Sequence, residues 1–500
     1  MIEKYYSGVI EQIYNRIGKE TRNIVMANYS NDFSIENLEV IRRYQSNEDN
    51  VFFAYSEFSY NTLVGAYEPF LDIICNMHRR FIGGSFDDFQ KECGVYYLHR
   101  QVLNSYYETG ECFREETVLL NEVAYEQRRM TMAIADMLKR LSEVRPLMIV
   151  INRFQMASKS SIETIKYLID NPCANIGIVL GVNAIVKGAD STVEVWDRIV
   201  ESLEDRSAIY YIGSAGPLKN NIKTTNDDEL YITMNFEQSI QEASNIMEFL
   251  DYEQARRGCR IIEHKIKFEN AWIDEKSLRR FYLVYARTSV LLGEMSKAIE
   301  LMNEYKALIP ENDSEHYFSL YYFMKGTCYM YQGKLEKAEG CAKKAYDYAL
   351  LADDELLEFK SELLSVMIKM SGWYNIFFCV QDIPVSDEII EKLIKHGYRN
   401  HLAHIYIYAY DNSRDVVKQS FYDESLLKHF TKGLELAKEI GNEQLVYDAY
   451  QKTIMLASTS GLNEIAFLYV IRTYEFMKGH GNIYVARVLT SIGYNLSAMG

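Results

Sequence analysis

The residues best placed to carry chemistry follow the apolar run Leu147–Ile151, which ends in Asn152 and Arg153. An apolar run that leads into a helix is typical of the strand that holds Mg²⁺ and polarises the attacking water in nucleotide hydrolysis, and such a strand ends in one or two carboxylates. Asparagine is a weak ligand for that ion, and the arginine guanidinium repels it. The segment therefore has the layout of a catalytic strand without the acids that catalysis requires.

The segment after the first apolar run differs from a phosphate-binding loop in the same way. Such a loop needs glycines that let backbone N–H groups turn toward one anion, then a lysine and a hydroxyl. Asn28 and Phe33 occupy the glycine places, Ser34 occupies that of the lysine, and Asp32 adds a negative charge beside the expected phosphate. Ser34 fits the N-cap of a helix over Ile35–Tyr44. We therefore predict no catalytic residue in this chain.

Five short apolar runs bounded by polar turns predict the strands that position these residues. They are Asn23–Ala27, Val51–Tyr55, Leu147–Ile151, Ile176–Val182 and Ala208–Ile212. Their alternation with helical patterns predicts an α/β fold with a mostly parallel sheet and helices on both faces. Helical periodicity over Tyr67–Phe81 and Glu115–Leu141 predicts a helical layer inserted between the second and third strands.

Composition excludes several classes of function. The 500 residues are 48% hydrophobic and carry a net charge of −16, which argues against general binding of nucleic acid or of an anionic membrane. A charged N-terminus without a signal-peptide core, together with the lack of a long apolar run, predicts a cytoplasmic protein. The eight cysteines form no CxxC pair, which favours reduced thiols over a disulfide framework.

Two further candidates for site chemistry have simpler explanations. His396, His401 and His404 form the densest histidine group, but no acid or cysteine lies at a short fixed offset to complete a metal site. We expect no metal here. Glu57 ends the second predicted strand and could act as a base, although a lone acid at the start of a loop is usually solvated.

The segment Pro146–Asp170 resembles the second nucleotide motif of the signal-transduction ATPases with numerous domains (STAND), an AAA+-like class of P-loop NTPases. In that family a strand, an acidic pair, a glutamine, an alanine and a serine-started helix follow in order. Gln155, Ala157 and the helix start at Ser160 and Ser161 match that order, whereas Asn152 and Arg153 replace the acids. The resemblance implies the family's fold with degenerate Walker motifs, and it does not imply ATP hydrolysis.

Two other segments extend this resemblance over about residues 15 to 235. The strand that ends at Asn183 resembles the family's sensor strand. The strand near Val51 is similar to the family's second strand, which leads through a loop into an aromatic and proline helix start, here Tyr67–Pro69. ATP or another nucleotide is therefore the only cofactor that the resemblance suggests.

From about Gln238 onward, small and large residues recur at the spacing of tetratricopeptide (TPR) repeats. The clearest repeat has Tyr322, Gly326, Tyr329, Gly333, Ala338 and Ala345. The preceding unit has Tyr282, Ala286, Gly293 and Ala298, and a later unit has Gly461 and Ala466. Such a pattern predicts an α-solenoid of helical hairpins near 40 residues long. An irregular helical bundle is the alternative, because 373–419 fits the pattern poorly.

The predicted organisation is a degenerate P-loop-like domain over residues 1–237, a helical linker over 238–273 and TPR-like repeats over 274–500. Gly493 and Gly500 fall on small and turn positions of one more repeat. We therefore expect the last repeat to be truncated before its second helix. This architecture resembles the N-terminal regulatory region of bacterial signalling proteins whose output is a diguanylate cyclase or a helix-turn-helix regulator.

Three functions follow from these observations. The first is a non-catalytic sensor and scaffold that binds a protein, a peptide or a small effector through the repeats and controls a further output domain. The second is a STAND-like switch that binds a nucleotide through backbone donors of Asn28–Ser34, with weak hydrolysis or none. The third is the N-terminal part of an enzyme such as a diguanylate cyclase. Homo-oligomerisation stays open in each case.

Overall fold

The computed structural model describes most of the chain. The described residues are 2–29, 38–46, 50–59, 63–114, 116, 119–183, 193–213, 235–268, 273–312, 314–374, 386–408, 424–459 and 461–477, with single positions 489, 493 and 497. Contacts divide the chain into two compact units. The first comprises Met1–Arg114 and Val118–Gly293, and the second comprises Glu115–Thr117 and Glu294–Gly500.

The first unit is built on a five-stranded sheet in which all strands are parallel. The strands are β1 (Ile24–Tyr29), β2 (Phe52–Glu57), β3 (Leu147–Asn152), β4 (Ile176–Asn183) and β5 (Ile209–Ile212). Their order across the sheet is β2-β3-β4-β1-β5. The predicted parallel sheet is confirmed, and each predicted run contains or overlaps one observed strand.

Eleven α-helices accompany this sheet in the described part of the first unit. They are α1 (Ile2–Arg16), α2 (Glu39–Ser46), α3 (Phe70–Met77), α4 (Phe86–Glu92), α5 (Tyr97–Thr109), α6 (Val123–Val144), α7 (Lys159–Asp170), α8 (Val193–Asp205), α9 (Phe236–Glu248), α10 (Tyr252–Phe268) and α11 (Glu275–Leu291). Short 3₁₀ turns lie at Leu120–Glu122 and Phe154–Met156.

Both faces of the sheet are covered, because every residue of β3 and β4 is buried. Helix α1 packs closely across β4, where two glycines make room for it. A β-carbon at Gly177 would lie 2.8 Å from Cδ1 of Ile17, and one at Gly181 would clash with the Tyr6 hydroxyl. The glycines of β4 therefore allow α1 to approach the sheet.

The helical layer between β2 and β3 is present, but two of its predicted boundaries are wrong. The expected helix over Tyr67–Phe81 starts at Phe70 and continues as a π-helix over His78–Ile82, because Tyr67 has a φ of 57° and cannot extend it backward. The helix expected from Glu115 starts only at Val123. Glu116 instead belongs to the second unit.

In its described residues, the second unit consists of helices that pack on their sequence neighbours. They are α12 (Met295–Ala307), α13 (Ser314–Tyr331), α14 (Leu335–Leu351), α15 (Glu355–Tyr374), α16 (Asp387–Lys395), α17 (Arg399–Tyr408), α18 (Glu424–Ile440), α19 (Glu443–Thr459) and α20 (Asn463–Met477). The predicted all-α region of helical hairpins is confirmed.

Small residues let the hairpin α13–α14 pack closely. Ala338, Ala342 and Ala345 are fully buried, and a β-carbon at Gly326 would lie 3.3 Å from that of Cys341. Gly333 turns the chain between the two helices with a φ of 72°. In the residues that were placed, no helix is long and apolar enough to cross a membrane.

Candidate functional site

The candidate site lies where the carboxyl ends of β1, β3 and β4 meet. The chain leaves β1 toward β2 at one edge of the sheet, and it leaves β4 toward β5 at the other edge. Adjacent strands whose connections run in opposite directions create a crevice, which is the usual ligand position in an open parallel sheet. We call this region, formed by Tyr29, Asn152, Arg153 and Asn183, the switch-point crevice.

A buried polar contact fills the place where a catalytic strand would present its first acid. The Tyr29 hydroxyl at the end of β1 donates a hydrogen bond to Oδ1 of Asn152 at the end of β3. Both side chains are fully buried. The contact passes over β4 at Gly181, whose absent β-carbon would lie 2.8 Å from the same Oδ1. Asn152 thus serves as an acceptor within the core.

The Tyr6 hydroxyl of α1 joins this polar cluster beside Gly181. Burial raises the pKa of Tyr6 well above its usual value, and the nearby Tyr29, Tyr55 and Glu57 raise it further. The phenol therefore stays neutral at any physiological pH. Sequence analysis missed Tyr6 and Tyr29, although the alternation of side chains along a strand places Tyr29 on the same face as Ala27, toward α1.

The place of the second acid is taken by an ion pair. Arg153 adopts a left-handed conformation with a φ of 55°, and its Nη1 lies 3.1 Å from Oε1 of Glu57 at the end of β2. The same nitrogen donates to the backbone oxygen of Phe58 at 3.4 Å, and the Tyr55 hydroxyl donates to the other oxygen of Glu57. Glu57 is thus engaged by a cation and a phenol, which leaves it poorly suited to act as a base.

Gln155 lies beside the switch-point crevice and has hydrogen-bonding capacity left. Its Oε1 accepts a 3.3 Å hydrogen bond from the backbone N–H of Asn183. Its side chain is buried, at 2% exposure, and its Nε2 has no partner among the described residues. Trp196, whose ring packs against Phe154, has a buried Nε1 that likewise lacks a partner in the described ranges. Two buried donors therefore lie near the carboxyl ends of β3 and β4.

The other predicted positions of the phosphate-binding region are only partly placed. Asn28 is fully buried in β1, where it pairs in register with Val182 of β4 and Tyr211 of β5. Asp32, Phe33 and Ser34 lie outside the described residues, as does the predicted truncation at Gly500. Asn28 is consequently a sheet residue whose backbone groups face the neighbouring strands.

The helix that follows β3 begins at a serine cluster. The hydroxyl of Ser158 caps α7 by accepting from the N–H of Ser161. The backbone N–H of Ser160 donates to Oδ2 of the buried Asp251 at 3.1 Å, a favourable place for an acid because helix N-termini attract negative charge. Sequence analysis recognised this helix start at Ser160 and Ser161 and missed Asp251, which is about 90 residues away in the chain.

The serine cluster also holds the loop of residues 63–69, which we call the Tyr67 loop. The N–H of Tyr67 donates to the Ser160 hydroxyl at 3.0 Å, and the Ser161 hydroxyl donates to the backbone oxygen of Glu68 at 2.7 Å. A third contact joins Nε2 of Gln254 to the backbone oxygen of Val64 at 2.9 Å. The loop is thereby fixed to the helix that starts beside the switch-point crevice.

In the second unit, His401 of the histidine group is part of a buried hydrogen-bond network. Glu116 is fully buried, and its carboxylate accepts from the backbone N–H groups of Asn400 and His401 at the start of α17. Nδ1 of His401 lies 2.6 Å from the same carboxylate. His404 stacks on Tyr408, and His396 stacks on Phe359. Within the described ranges, no cluster of His, Cys, Asp and Glu could hold a metal ion.

The repeat-signature residues occupy helices and turns from α11 to α20. Tyr282 and Ala286 lie in α11, Ala298 in α12, Tyr322, Gly326 and Tyr329 in α13, Ala338 and Ala345 in α14, and Ala466 in α20. Gly293, Gly333 and Gly461 have positive φ angles after α11, α13 and α19. Residues of this kind position the helices and turns of the backbone and have no chemical role of their own.

Comparisons with known proteins give structural likenesses and no sequence match. No family model matches this sequence, and no curated protein matches it. The fold is similar to a crystal structure of a signal transduction ATPase with numerous domains (STAND) protein with a tetratricopeptide repeat sensor from Pyrococcus horikoshii, which shares 12% identity over 96% of this chain and 83% of that chain, with a TM-score of 0.42. A likeness at this level assigns neither a family nor an activity to this chain.

Proposed function

We propose that this protein is a non-catalytic regulatory module, in which a sheet unit that has lost nucleotide hydrolysis accompanies helical hairpins that bind a protein, a peptide or a small effector. The observation that carries the proposal is the hydrogen bond from Tyr29 to Asn152. Hydrolysis requires a free carboxylate at this strand end to hold the metal ion, whereas here a neutral carboxamide faces a buried phenol.

The ion pair between Arg153 and Glu57 supports the same proposal. A guanidinium at the second acidic position places a positive charge where a cation would have to bind, and it engages the neighbouring carboxylate of Glu57 at 3.1 Å. Partly buried pairs of this kind keep their geometry, because breaking one leaves an uncompensated charge. The crevice is therefore occupied by interactions that maintain the fold.

A second candidate function, nucleotide binding without hydrolysis, is favoured by the free Nε2 of Gln155. This buried donor lies next to Asn183 in a crevice of the kind that binds phosphate-containing ligands in other open sheets. An oxygen-rich ligand would satisfy such a donor. Control of a further domain, such as a diguanylate cyclase, stays a prediction that the sequence of a longer parent protein would test.

A thermal-shift and calorimetry screen of the 500-residue chain separates the two candidates. The ligands are ATP, ADP, GTP and cyclic dinucleotides, each with and without Mg²⁺, and any ligand that binds the native state raises the melting temperature by mass action. We expect no nucleotide to raise it in a Mg²⁺-dependent manner. Saturable binding that is lost in Gln155→Leu, but kept in the control Gln127→Leu, would establish the nucleotide-binding candidate instead.

A further inference from the structure

A cavity of about 360 Å³ opens beside the Tyr67 loop in the first unit. Its wall contains three acidic side chains, Glu68, Asp72 and Glu242, and two aromatic rings, Tyr106 and Phe249. Among the residues that line it, none is lysine, arginine or histidine. We call this site the acid cavity. It is separate from the switch-point crevice, and the proposed function leaves it unexplained.

Two of the carboxyl groups share the space in front of Gly65. A β-carbon at that position would lie 3.0 Å from Oε1 of Glu242 and 3.4 Å from Oε2 of Glu68. A side chain at this position would therefore press against both acids. Two negative charges in this shared space would repel each other, which favours the protonated form of one of the acids.

The three acids differ in the hydrogen bonds that they accept. Oε2 of Glu68 accepts from the N–H of Gly65 at 3.0 Å, and Oδ1 of Asp72 accepts from the Tyr106 hydroxyl at 3.1 Å. Glu242 receives no donor and no cation from the described part of the chain. Because Glu242 alone of the three has no donor among the described residues, we assign the proton to Glu242.

Burial and the two neighbouring acids all raise the pKa of Glu242. Burial raises its pKa to about 7, with Glu68 and Asp72 adding to the effect. The Tyr106 phenol of α5 and the Cys112 thiol also face it and are neutral, since burial raises the pKa of both. On α11, Arg280 binds the neighbouring Gln241. Burial likewise raises the pKa of Glu68.

We propose that Glu242 and Glu68 form a proton-operated latch that holds α9 against the Tyr67 loop. With a proton on Glu242, the two carboxyl groups can lie together at Gly65. Without it, two charges face each other in a cavity that offers no counter-ion from its lining, and α9 is driven away from the loop. The loop is hydrogen-bonded to Ser160 and Ser161 of α7. A change in the position of the loop on release of the latch is therefore transmitted to the helix beside the switch-point crevice.

The direction of the pH effect follows from linkage. The ordinary pKa of a glutamate is 4.5, and that of Glu242 in the closed latch is about 7. Its contribution to closing is fully present below pH 4.5 and falls as the pH rises toward 7, because only the closed form still binds the proton in that window. With these two values, the opening constant increases about tenfold between pH 6 and pH 8.

Hydrogen exchange of the full-length protein, followed by mass spectrometry, tests the latch. Amide protection is measured in α9 and the Tyr67 loop at pH 6, 7 and 8 and corrected for the intrinsic exchange rate. In the wild type we expect opening of these peptides to rise about tenfold from pH 6 to pH 8. Glu242→Gln, which keeps the shape of the neutral acid, should remove this dependence and protect α9 at pH 8.

Glu237→Gln is the matched control, since Glu237 lies on the same helix and is exposed. This variant should keep the tenfold change. If Glu242→Gln does not fold, Glu68→Gln decides the case, because removal of the facing charge should lower the pKa of Glu242 and reduce the change to well below tenfold. A wild type without pH-dependent protection, or a Glu242→Gln protein that keeps it, would overturn the proposal.

Discussion

The switch-point crevice and the acid cavity lie in the same unit and differ in whether their acidic side chains are paired with a cation. In the crevice, Glu57 is paired with Arg153 and Asn152 accepts from Tyr29. In the cavity, Glu242 of α9 and Glu68 of the Tyr67 loop line the same open space. The comparison teaches that the position resembling a catalytic site is stabilised as a core, whereas the region that responds to its surroundings lies elsewhere.

Filling the space at Gly181 should have the largest effect on stability, because it disrupts the switch-point crevice. Gly181→Ala places a β-carbon 2.8 Å from Oδ1 of Asn152 and against the Tyr6 hydroxyl, so the Tyr29 to Asn152 contact cannot persist. We expect a loss of about 3 kcal/mol in the free energy of unfolding, as for overpacked cores. Urea denaturation followed by circular dichroism measures it.

Gly8→Ala is the control for this substitution. Gly8 lies in α1, and nothing within 4 Å would meet its β-carbon. It should raise stability by about 0.5–1 kcal/mol, because alanine is the better helix former. Equal stability of Gly181→Ala and the wild type would show that the crevice has free room.

Removing one hydroxyl should have the next largest effect. Tyr29→Phe deletes the donor to Asn152 while leaving the ring in place, and a buried hydrogen bond of this kind is worth about 1–2 kcal/mol. In the double variant Tyr29→Phe with Asn152→Leu, the second change should cost less than it does in the wild type, since the hydrogen bond from Tyr29 to Asn152 is already absent. Additive losses in the denaturation cycle would contradict the assigned contact.

The Arg153 to Glu57 pair should couple more weakly. Its side chains are 20% and 16% exposed, so solvent screens part of the attraction, and we expect a coupling energy of about 1 kcal/mol. A double-mutant cycle with Arg153→Met and Glu57→Gln measures it. Lys139 and Asp136, an ion pair on the exposed side of α6, provide the control cycle, in which coupling should be smaller.

The smallest expected effect is a shift in the pH at which the latch in the acid cavity opens. Asp72→Asn removes a charge that raises the pKa of Glu242 less than Glu68 does. The pH midpoint of latch opening should therefore move down by a fraction of a unit, and Glu68→Gln should move it further. Hydrogen exchange of α9 across pH 5.5 to 8.5 measures both midpoints. The reverse order of the two shifts would place Asp72, and not Glu68, next to Glu242.

The fold was largely predictable, and the site was predictable only in part. Short apolar runs between polar turns mark buried parallel strands, which is why all five strands were found. That Asn152 and Arg153 are not carboxylates could also be read from residue type. Their contacts could not, because the partners are remote in sequence: Tyr29 is 123 residues from Asn152, and Glu116 is 285 residues from His401. Such pairs are created by strand order and helix packing.

The most direct test of the central claim is a single-turnover assay with the full-length protein in excess over labelled ATP or GTP and Mg²⁺. If Asn152 and Arg153 have replaced the catalytic acids, nucleotide should disappear no faster than in buffer, and Asn152→Asp alone should not change this because Arg153 still repels the metal ion. Hydrolysis by the wild type that is abolished in Asn152→Leu, but unaffected in the surface control Lys166→Gln, would contradict the account.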